Sequence, residues 1–217
     1  MKYALFDCDG TLLDSMPMWI NLATDVMASY GVDLPREAER ETASMSHEDA
    51  AKFYADTFLD GVGADELAKK FSATLEENYG EHLALKPHVR EVLDALRERG
   101  VPMAVASSTD AYLLEMCLAR LGLRDYFLFV QTVDNSGHSK NSDAYFKLAC
   151  EQLGCAPEDV LFFDDALYAL ECAKKNGLVT VAVQDDTQMD HDAEIHAAGD
   201  YYINDFSEIK IDEWFAD

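Results

Sequence analysis

The chain has 217 residues, with 17 lysines and arginines against 42 aspartates and glutamates, a formal net charge of −25. So few cations exclude a protein that grips nucleic acid by its phosphates, and the same deficit argues against docking on an anionic membrane. Apolar residues make up 49% of the chain and aromatics 11%, which is too much for a disordered protein and enough for a sizeable core.

The length predicts one domain, or one domain with a large insert. The five cysteines, Cys8, Cys117, Cys150, Cys155 and Cys172, are scattered, odd in number and form no C-x-x-C pair. Neither a disulfide framework nor a zinc site is expected from them. The first apolar run is too short for a signal peptide, and no stretch approaches the roughly 18 apolar residues of a membrane span. These features predict a reduced, soluble, cytoplasmic protein.

Lys2 to Phe6 is short and apolar and ends in Asp7-Cys8-Asp9-Gly10, which predicts a buried strand stopping at a loop. From residue 15 to 82 the apolar residues recur at helical spacing. Trp19, Leu22, Ala23, Val26, Met27 and Tyr30 form one stripe, Ala50, Phe53, Tyr54, Thr57 and Phe58 a second, and Leu67, Phe71 and Leu75 a third. Helices and strands then alternate. Residues 89–99 predict a helix closed by Gly100, and 101–106 a strand ending in Ser107-Ser108-Thr109. Residues 111–121 predict a helix and 126–130 a strand. A helix at 143–153 stops at Gly154, a strand at 160–163 ends in Asp164-Asp165, and a helix at 166–175 closes at Gly177. Strands at 179–183 and 201–203 complete the series. This alternation predicts an α/β fold, a parallel sheet with helices on both faces, interrupted by an all-helical insert.

Ligands of open parallel sheets bind beyond the carboxyl ends of the strands. Asp7, Asp9, Gly10 and Thr11 follow the first predicted strand, Ser107, Ser108 and Thr109 the second, and Asp164 and Asp165 the fourth. Lys140 lies in the loop after the third. Two unit charges about 4 Å apart repel by roughly 4 kcal/mol at an effective dielectric near 20, so four carboxylates at one edge need compensation. A divalent cation supplies it, and oxygen-only donors favour a hard ion such as Mg²⁺. Ser107 and Lys140 then suit an anion that the metal also meets, and a phosphate dianion is the natural candidate. Gly10 lets the backbone approach that ligand and expose its N–H groups.

Asp7-Cys8-Asp9-Gly10-Thr11, Ser107 after Ala104-Val105-Ala106, Lys140 before a helix, and Asp164-Asp165 after Phe162-Phe163 stand in the order found in one enzyme family. The chain resembles the haloacid dehalogenase superfamily, specifically phosphatases of its beta-phosphoglucomutase-like branch. It departs from that pattern after Lys140, where Asp143 replaces a proline and Phe146 a tyrosine. The resemblance implies a discontinuous Rossmann-like catalytic core, residues 1–14 and 83–217, and a helical cap, residues 15–82.

It further implies Asp7 as a nucleophile forming an aspartyl-phosphate, and Asp9 as the acid for the leaving oxygen and then the base for water. Ser107, Ser108, Gly10 and Lys140 become phosphate-binding groups, with Lys140 also offsetting the charge of Asp7. Asp7, the Asp9 backbone carbonyl, Asp164 and Asp165 become Mg²⁺ ligands. Relatives that cleave carbon–halogen or carbon–phosphorus bonds lack an acid at the position of Asp9, so an oxygen leaving group is expected. The segment Ser44-Met45-Ser46-His47 falls where cap specificity residues are expected, which gives Trp19, Met45, Ser46 and His47 as candidates. The expected activity is Mg²⁺-dependent hydrolysis of a small phosphorylated metabolite by a monomer or small homo-oligomer. One alternative is a phosphomutase, disfavoured because Trp19 stands where the mutase has a histidine ten residues after the acid. The other is a non-catalytic module that binds a phosphorylated ligand.

Overall fold

The structure, a computed structural model, describes residues 2–42, 45 and 47–216. The chain divides into two compact units, one of Met1–Met16 with Leu83–Asp217 and one of Pro17–His82. The change comes two residues later than the sequence expectation. Leu13 bridges to Leu85 and the Asp14 N–H donates to the Ala84 carbonyl at 3.0 Å, which ties this stretch to the sheet unit.

The second unit is helical. It holds α1 (Met16–Ala28, apart from its first residue), α2 (Arg36–Thr42), α3 (His47–Phe58), α4 (Ala64–Glu77) and a π-helical turn, Asn78–His82. Leu22, Val26 and Met27 of α1 and Leu67, Phe71 and Leu75 of α4 are buried, as their spacing predicts. The stripe on α3 is rotated from its expected position. Ala51, Tyr54 and Ala55 are buried, whereas Phe53 and Phe58 are half-buried and Thr57 is exposed. Tyr54 decides this. Its ring stacks on Phe71 with centroids 6.2 Å apart, and its hydroxyl needs a partner inside, which Thr42 Oγ1 supplies at 2.5 Å.

In the first unit six strands pair in parallel in the order β3-β2-β1-β4-β5-β6. They are β1 (Tyr3–Phe6), β2 (Met103–Ala106), β3 (Phe127–Gln131), β4 (Val160–Asp164), β5 (Val179–Val183) and β6 (Tyr201–Ile203). The helices between and after them are α5 (Val89–Glu98), α6 (Ala111–Arg120), α7 (Val133–Ser136), α8 (Asp143–Leu153), α9 (Leu167–Lys175), α10 (Asp192–Ala198) and α11 (Ile211–Trp214). β2 starts at Met103 rather than 101 because the Val101 N–H caps α5 on the Leu96 carbonyl at 3.0 Å. The short α7 was not expected. Thr132 and Asn135 form a reciprocal capping box around it, a local arrangement with no apolar periodicity.

The central strands β1, β2 and β4 are buried on both faces, and alternate residues face opposite layers. Leu5, Ala104 and Phe162 pack under Tyr145, Phe146 and Ala149 of α8 and Ala169 and Ala173 of α9. Phe6 points to the other layer, where it stacks on Phe163 at 4.7 Å, and Phe163 in turn lies 6.2 Å from Phe206. Each such buried apolar side chain contributes on the order of 2 kcal/mol. The register carries this order to the carboxyl edge. Phe6 pairs with Val105 on one side and Phe163 on the other, so Asp7 stands level with Asp164. The Asp7 N–H extends that ladder to the Phe163 carbonyl at 2.8 Å.

One backbone position carries strain. His88, just before α5, has φ 60°, and among the described residues it is the one non-glycine with positive φ. Its half-exposed ring gains only a 3.8 Å approach of Nε2 to Asp205 Oδ1. The left-handed conformation costs a residue with a Cβ about 1–2 kcal/mol. His88→Gly is expected to stabilise the fold by about 1 kcal/mol, read as a higher urea midpoint at unchanged m-value. A lower midpoint would show that the histidine side chain outweighs the strain.

Candidate active site

Sheet order brings the ends of β2, β1 and β4 side by side. Asp7 ends the extension of β1, Asp164 is the last residue of β4, and Asp165 follows it. All three carboxylates are buried, and one ligand oxygen from each lies within 4.8 Å of the others. They are the one such cluster of potential metal-binding side chains among the described residues. Lys140 reaches into it from the loop before α8 and is 3% exposed. Its Nζ bonds Asp7 Oδ1 and lies 2.7 Å from Asp164 Oδ2.

The departures from the family pattern after Lys140 leave its placement intact. Asp143, in the place of a proline, is the first residue of α8, where an acid suits the helix dipole. It also accepts bonds from Lys175 Nζ at 2.9 Å and Asn176 Nδ2 at 3.1 Å. Phe146 packs into the core, and the hydroxyl of the adjacent Tyr145 donates to the Ser107 and Gln131 carbonyls at 2.9 and 3.0 Å. Tyr145 thereby fixes the ends of β2 and β3 together.

The remaining candidates fall at the same edge. Asp9 Oδ2 accepts a 2.7 Å bond from Thr109 Oγ1. Ser107 is buried, and its N–H donates to the Gln131 carbonyl at 3.0 Å. Ser108 is exposed and its hydroxyl lies 3.3 Å from that of Tyr168. The expectation for Gly10 needs correction. Its N–H is used within the loop, donating to the Leu13 carbonyl at 3.0 Å. The glycine is required because φ is +78° and because a Cβ there would sit 2.5 Å from Asp165 Oδ2. Gly10 thus makes room for the Asp165 carboxylate, whose other oxygen takes a 3.3 Å bond from Thr11 Oγ1.

Tyr145, Tyr168 and Lys86 are polar residues of this edge that sequence reading did not assign, and Thr109, placed here by its strand end, had no role assigned to it. Lys86 Nζ binds three acceptors on neighbouring loops, the Gly10 carbonyl at 2.5 Å, the Gln184 carbonyl at 2.9 Å and Asp185 Oδ2 at 2.8 Å. Cys8, between the two aspartates, is fully buried, and burial with the charges of Asp9 and Asp7 holds its thiol well above the usual range. It is a packing residue, not a reactive thiolate. Of the cap candidates, Trp19 donates from Nε1 to Tyr79 Oη at 3.0 Å. Trp19 and Met45 line an open cleft of about 430 Å³ on the helical unit, together with Leu22, Tyr54 and Phe71. Ser46 lies outside the described residues, and of His47 only the backbone is described, at the start of α3.

Electrostatics at the cluster are dominated by burial. Desolvation raises Asp7 well above the usual carboxylate range; Lys140 opposes this, and Asp164 and Asp165 add to it. Asp164 is raised by burial against the pull of Lys140. Asp165 is pushed up to about 7 by burial and then by the charge of Asp164. Burial alone would lower Lys140, but Asp164 and Asp7 outweigh it and hold the ammonium above its usual value. Three carboxylates thus share one ammonium, and any further cation at this edge is drawn in by the surplus charge.

Residues 4–183 match the haloacid dehalogenase-like hydrolase family, and the chain belongs to it. Its activity class is that of a phosphatase. It is 28% identical to hexitol phosphatase B of Escherichia coli over 182 residues, 83% of this chain and 82% of that one. It is 30% identical to N-acetylmuramic acid 6-phosphate phosphatase of Pseudomonas aeruginosa over 191 residues, 85% of this chain and 82% of that one. The solved structure of CbbY from Rhodobacter sphaeroides in complex with phosphate shares the fold, with a TM-score of 0.77 at 21% identity over 97% of this chain and 96% of that one. Among the described residues no helix is long and apolar enough to cross a membrane.

The raised carboxylates have a consequence for the metal-free protein. A folded-state pKa above the unfolded value contributes stability that is present at low pH and is lost as pH rises through the folded value. For Asp165 that window runs from about 4 to about 7. In EDTA, Asp165→Asn should therefore gain in melting temperature relative to the parent as pH goes from 5 to 8. A difference that is flat with pH, or opposite in sign, would contradict the buried-charge description.

Proposed function

We propose that the chain hydrolyses a small phosphomonoester, of the sugar or sugar-alcohol phosphate kind that its relatives' names indicate, through an aspartyl-phosphate on Asp7 and with Mg²⁺. The observation that carries this reading is the buried cluster of Asp7, Asp164, Asp165 and Lys140 at the carboxyl edge of β1. Three carboxylate oxygens in close reach of one another, with more negative than positive charge among them, form a donor set that fits a hard divalent cation. Asp7, Asp164 and Asp165 would hold the ion, with the Asp9 backbone carbonyl. When bound, it would withdraw charge from the phosphoryl oxygens.

Asp7 supplies the nucleophilic carboxylate; Lys140 pulls against the burial that raises it, and a bound cation would pull the same way. Lys140 also stands where charge develops on the phosphoryl group, so one ammonium orients the nucleophile and stabilises the transition state. Asp9, two residues on and half-exposed, is positioned by Thr109. It gives a proton to the leaving oxygen and then takes one from the attacking water. Ser107 and Ser108 border the phosphate on the β2 side. The helical unit is the counterpart of the family's cap, and Trp19, Met45, Ser46 and His47 belong to the part that selects the substrate. The bond from Trp19 to Tyr79 gives that tryptophan a fixed place in the unit. The enzyme works in the cytoplasm on a small phosphorylated metabolite, as a monomer or small homo-oligomer.

Asp7→Asn should lower kcat on a generic aryl phosphate by about 10³-fold or more, with the fold preserved. Removal of divalent metal with EDTA should abolish turnover, and Mg²⁺ should restore it. An Asp7→Asn variant that keeps a tenth of the activity would remove Asp7 from the chemistry, and full activity after chelation would remove the metal.

A further inference from the structure

Tyr168 is the second residue of α9 and is 48% exposed. The helix is held to the sheet by Ala169, Leu170, Cys172 and Ala173, so the tyrosine is not one of its buried packing residues. Its hydroxyl lies 3.3 Å from Ser108 Oγ. Ser108 follows β2 and Tyr168 follows β4, and β1 runs between these strands. Neighbouring strands are about 4.8 Å apart, so a contact between the two residues crosses about two strand spacings. It passes over the end of β1, where Asp7 stands. Partial burial raises the phenol, Lys140 lowers it, and Asp164 and Asp7 raise it again, with a net rise that keeps it a proton donor at neutral pH. The charges of the cluster therefore reach this hydroxyl.

We propose that Tyr168 is a further substrate contact: its hydroxyl, held by Ser108 over the end of β1, donates a hydrogen bond to an oxygen of the phosphoryl group that Asp7 attacks. The inference rests on the phosphatase reading of the site. A neutral donor suits this place. It binds a phosphoryl oxygen without adding charge to a cluster already crowded with carboxylates, and the Ser108 hydroxyl holds it in position before the substrate arrives. A hydrogen bond from a hydroxyl to an anionic oxygen is stronger than one between neutral groups, so its loss is measurable.

The test is Tyr168→Phe, which keeps the ring and removes the donor. With saturating Mg²⁺, kcat/KM on an aryl phosphate and the inhibition constant of inorganic phosphate are measured for parent and variant, together with the melting temperature. The expected result is a fall of about 10-fold or more in kcat/KM and a parallel weakening of phosphate inhibition, at an unchanged melting temperature. Unchanged kinetics and unchanged phosphate inhibition in the variant would overturn the proposal. So would a loss of activity that comes with a lower melting temperature and unaltered phosphate inhibition, because that marks a packing role. If the parent itself neither turns over the ester nor is inhibited by phosphate, the phosphatase reading fails first, and the parent measurement identifies that case.

Discussion

A buried ammonium shared by two buried carboxylates is the interaction on which the rest of this edge depends. Lys140 bonds Asp7 and approaches Asp164 to 2.7 Å where almost no solvent reaches. An isolated buried charge costs several kcal/mol, and a pair recovers that cost only with good geometry and satisfied hydrogen bonds. Here one lysine serves two aspartates, and a third, Asp165, stands beside them. The site is therefore left with surplus negative charge. Burial raises the three carboxylates, with the charges of their neighbours adding to it at Asp7 and Asp165, and the cluster is left with a demand for a cation. Removing Lys140 would leave Asp7 and Asp164 buried without the ammonium that pairs them, so the lysine is at once structural and chemical.

The sheet makes this possible by order and register, not by neighbouring sequence. β1 is central, flanked by β2 and β4, and the pairing of Phe6 with Phe163 sets Asp7 level with Asp164. The aromatic layer below, Phe6 on Phe163 on Phe206, locks that register, because a one-residue slip would turn the rings away from their layer. At the rim, small devices hold the loops. Gly10 vacates the space that the Asp165 carboxylate fills, and Asp164 Oδ1 accepts the Ala166 N–H at 2.8 Å to turn the chain into α9. Lys86 ties the Gly10 and Gln184 carbonyls and Asp185 together. None of these devices does chemistry, yet each fixes a group that does.

Much of this was legible in the sequence. The alternation of short apolar runs with helical stripes gives the parallel sheet, and the acidic pairs at strand ends mark the edge where ligands bind. Asp7, Asp164, Asp165 and Lys140 are brought together although they are up to 158 residues apart. What stayed hidden depends on contacts that periodicity does not carry. Thr109 meets Asp9, and Lys86 meets Gln184, across about a hundred residues in each case. Nothing in the local pattern of either residue announces this. Tyr145 was masked by its neighbour, because Phe146 stands where the family has its tyrosine. The stripe on α3 was misjudged because one polar contact, Tyr54 to Thr42, outweighs the apolar spacing around it. The Gly10 N–H was expected to face the ligand and instead closes its own loop, a detail that the positive φ of a turn glycine does not reveal.

The overall charge of −25 repels a phosphate dianion, so binding must be local, in a pocket where a cation and Lys140 outweigh the acidic surroundings. The most direct test is calorimetric titration of Mg²⁺ into the metal-free protein, parent against Asp165→Asn. One ion per chain with proton release, and at least tenfold weaker binding in the variant, is the result expected of three buried carboxylates that share too little positive charge. Absence of a saturable site in the parent, or equal affinity in both proteins, would show that the cluster balances its charge without a metal.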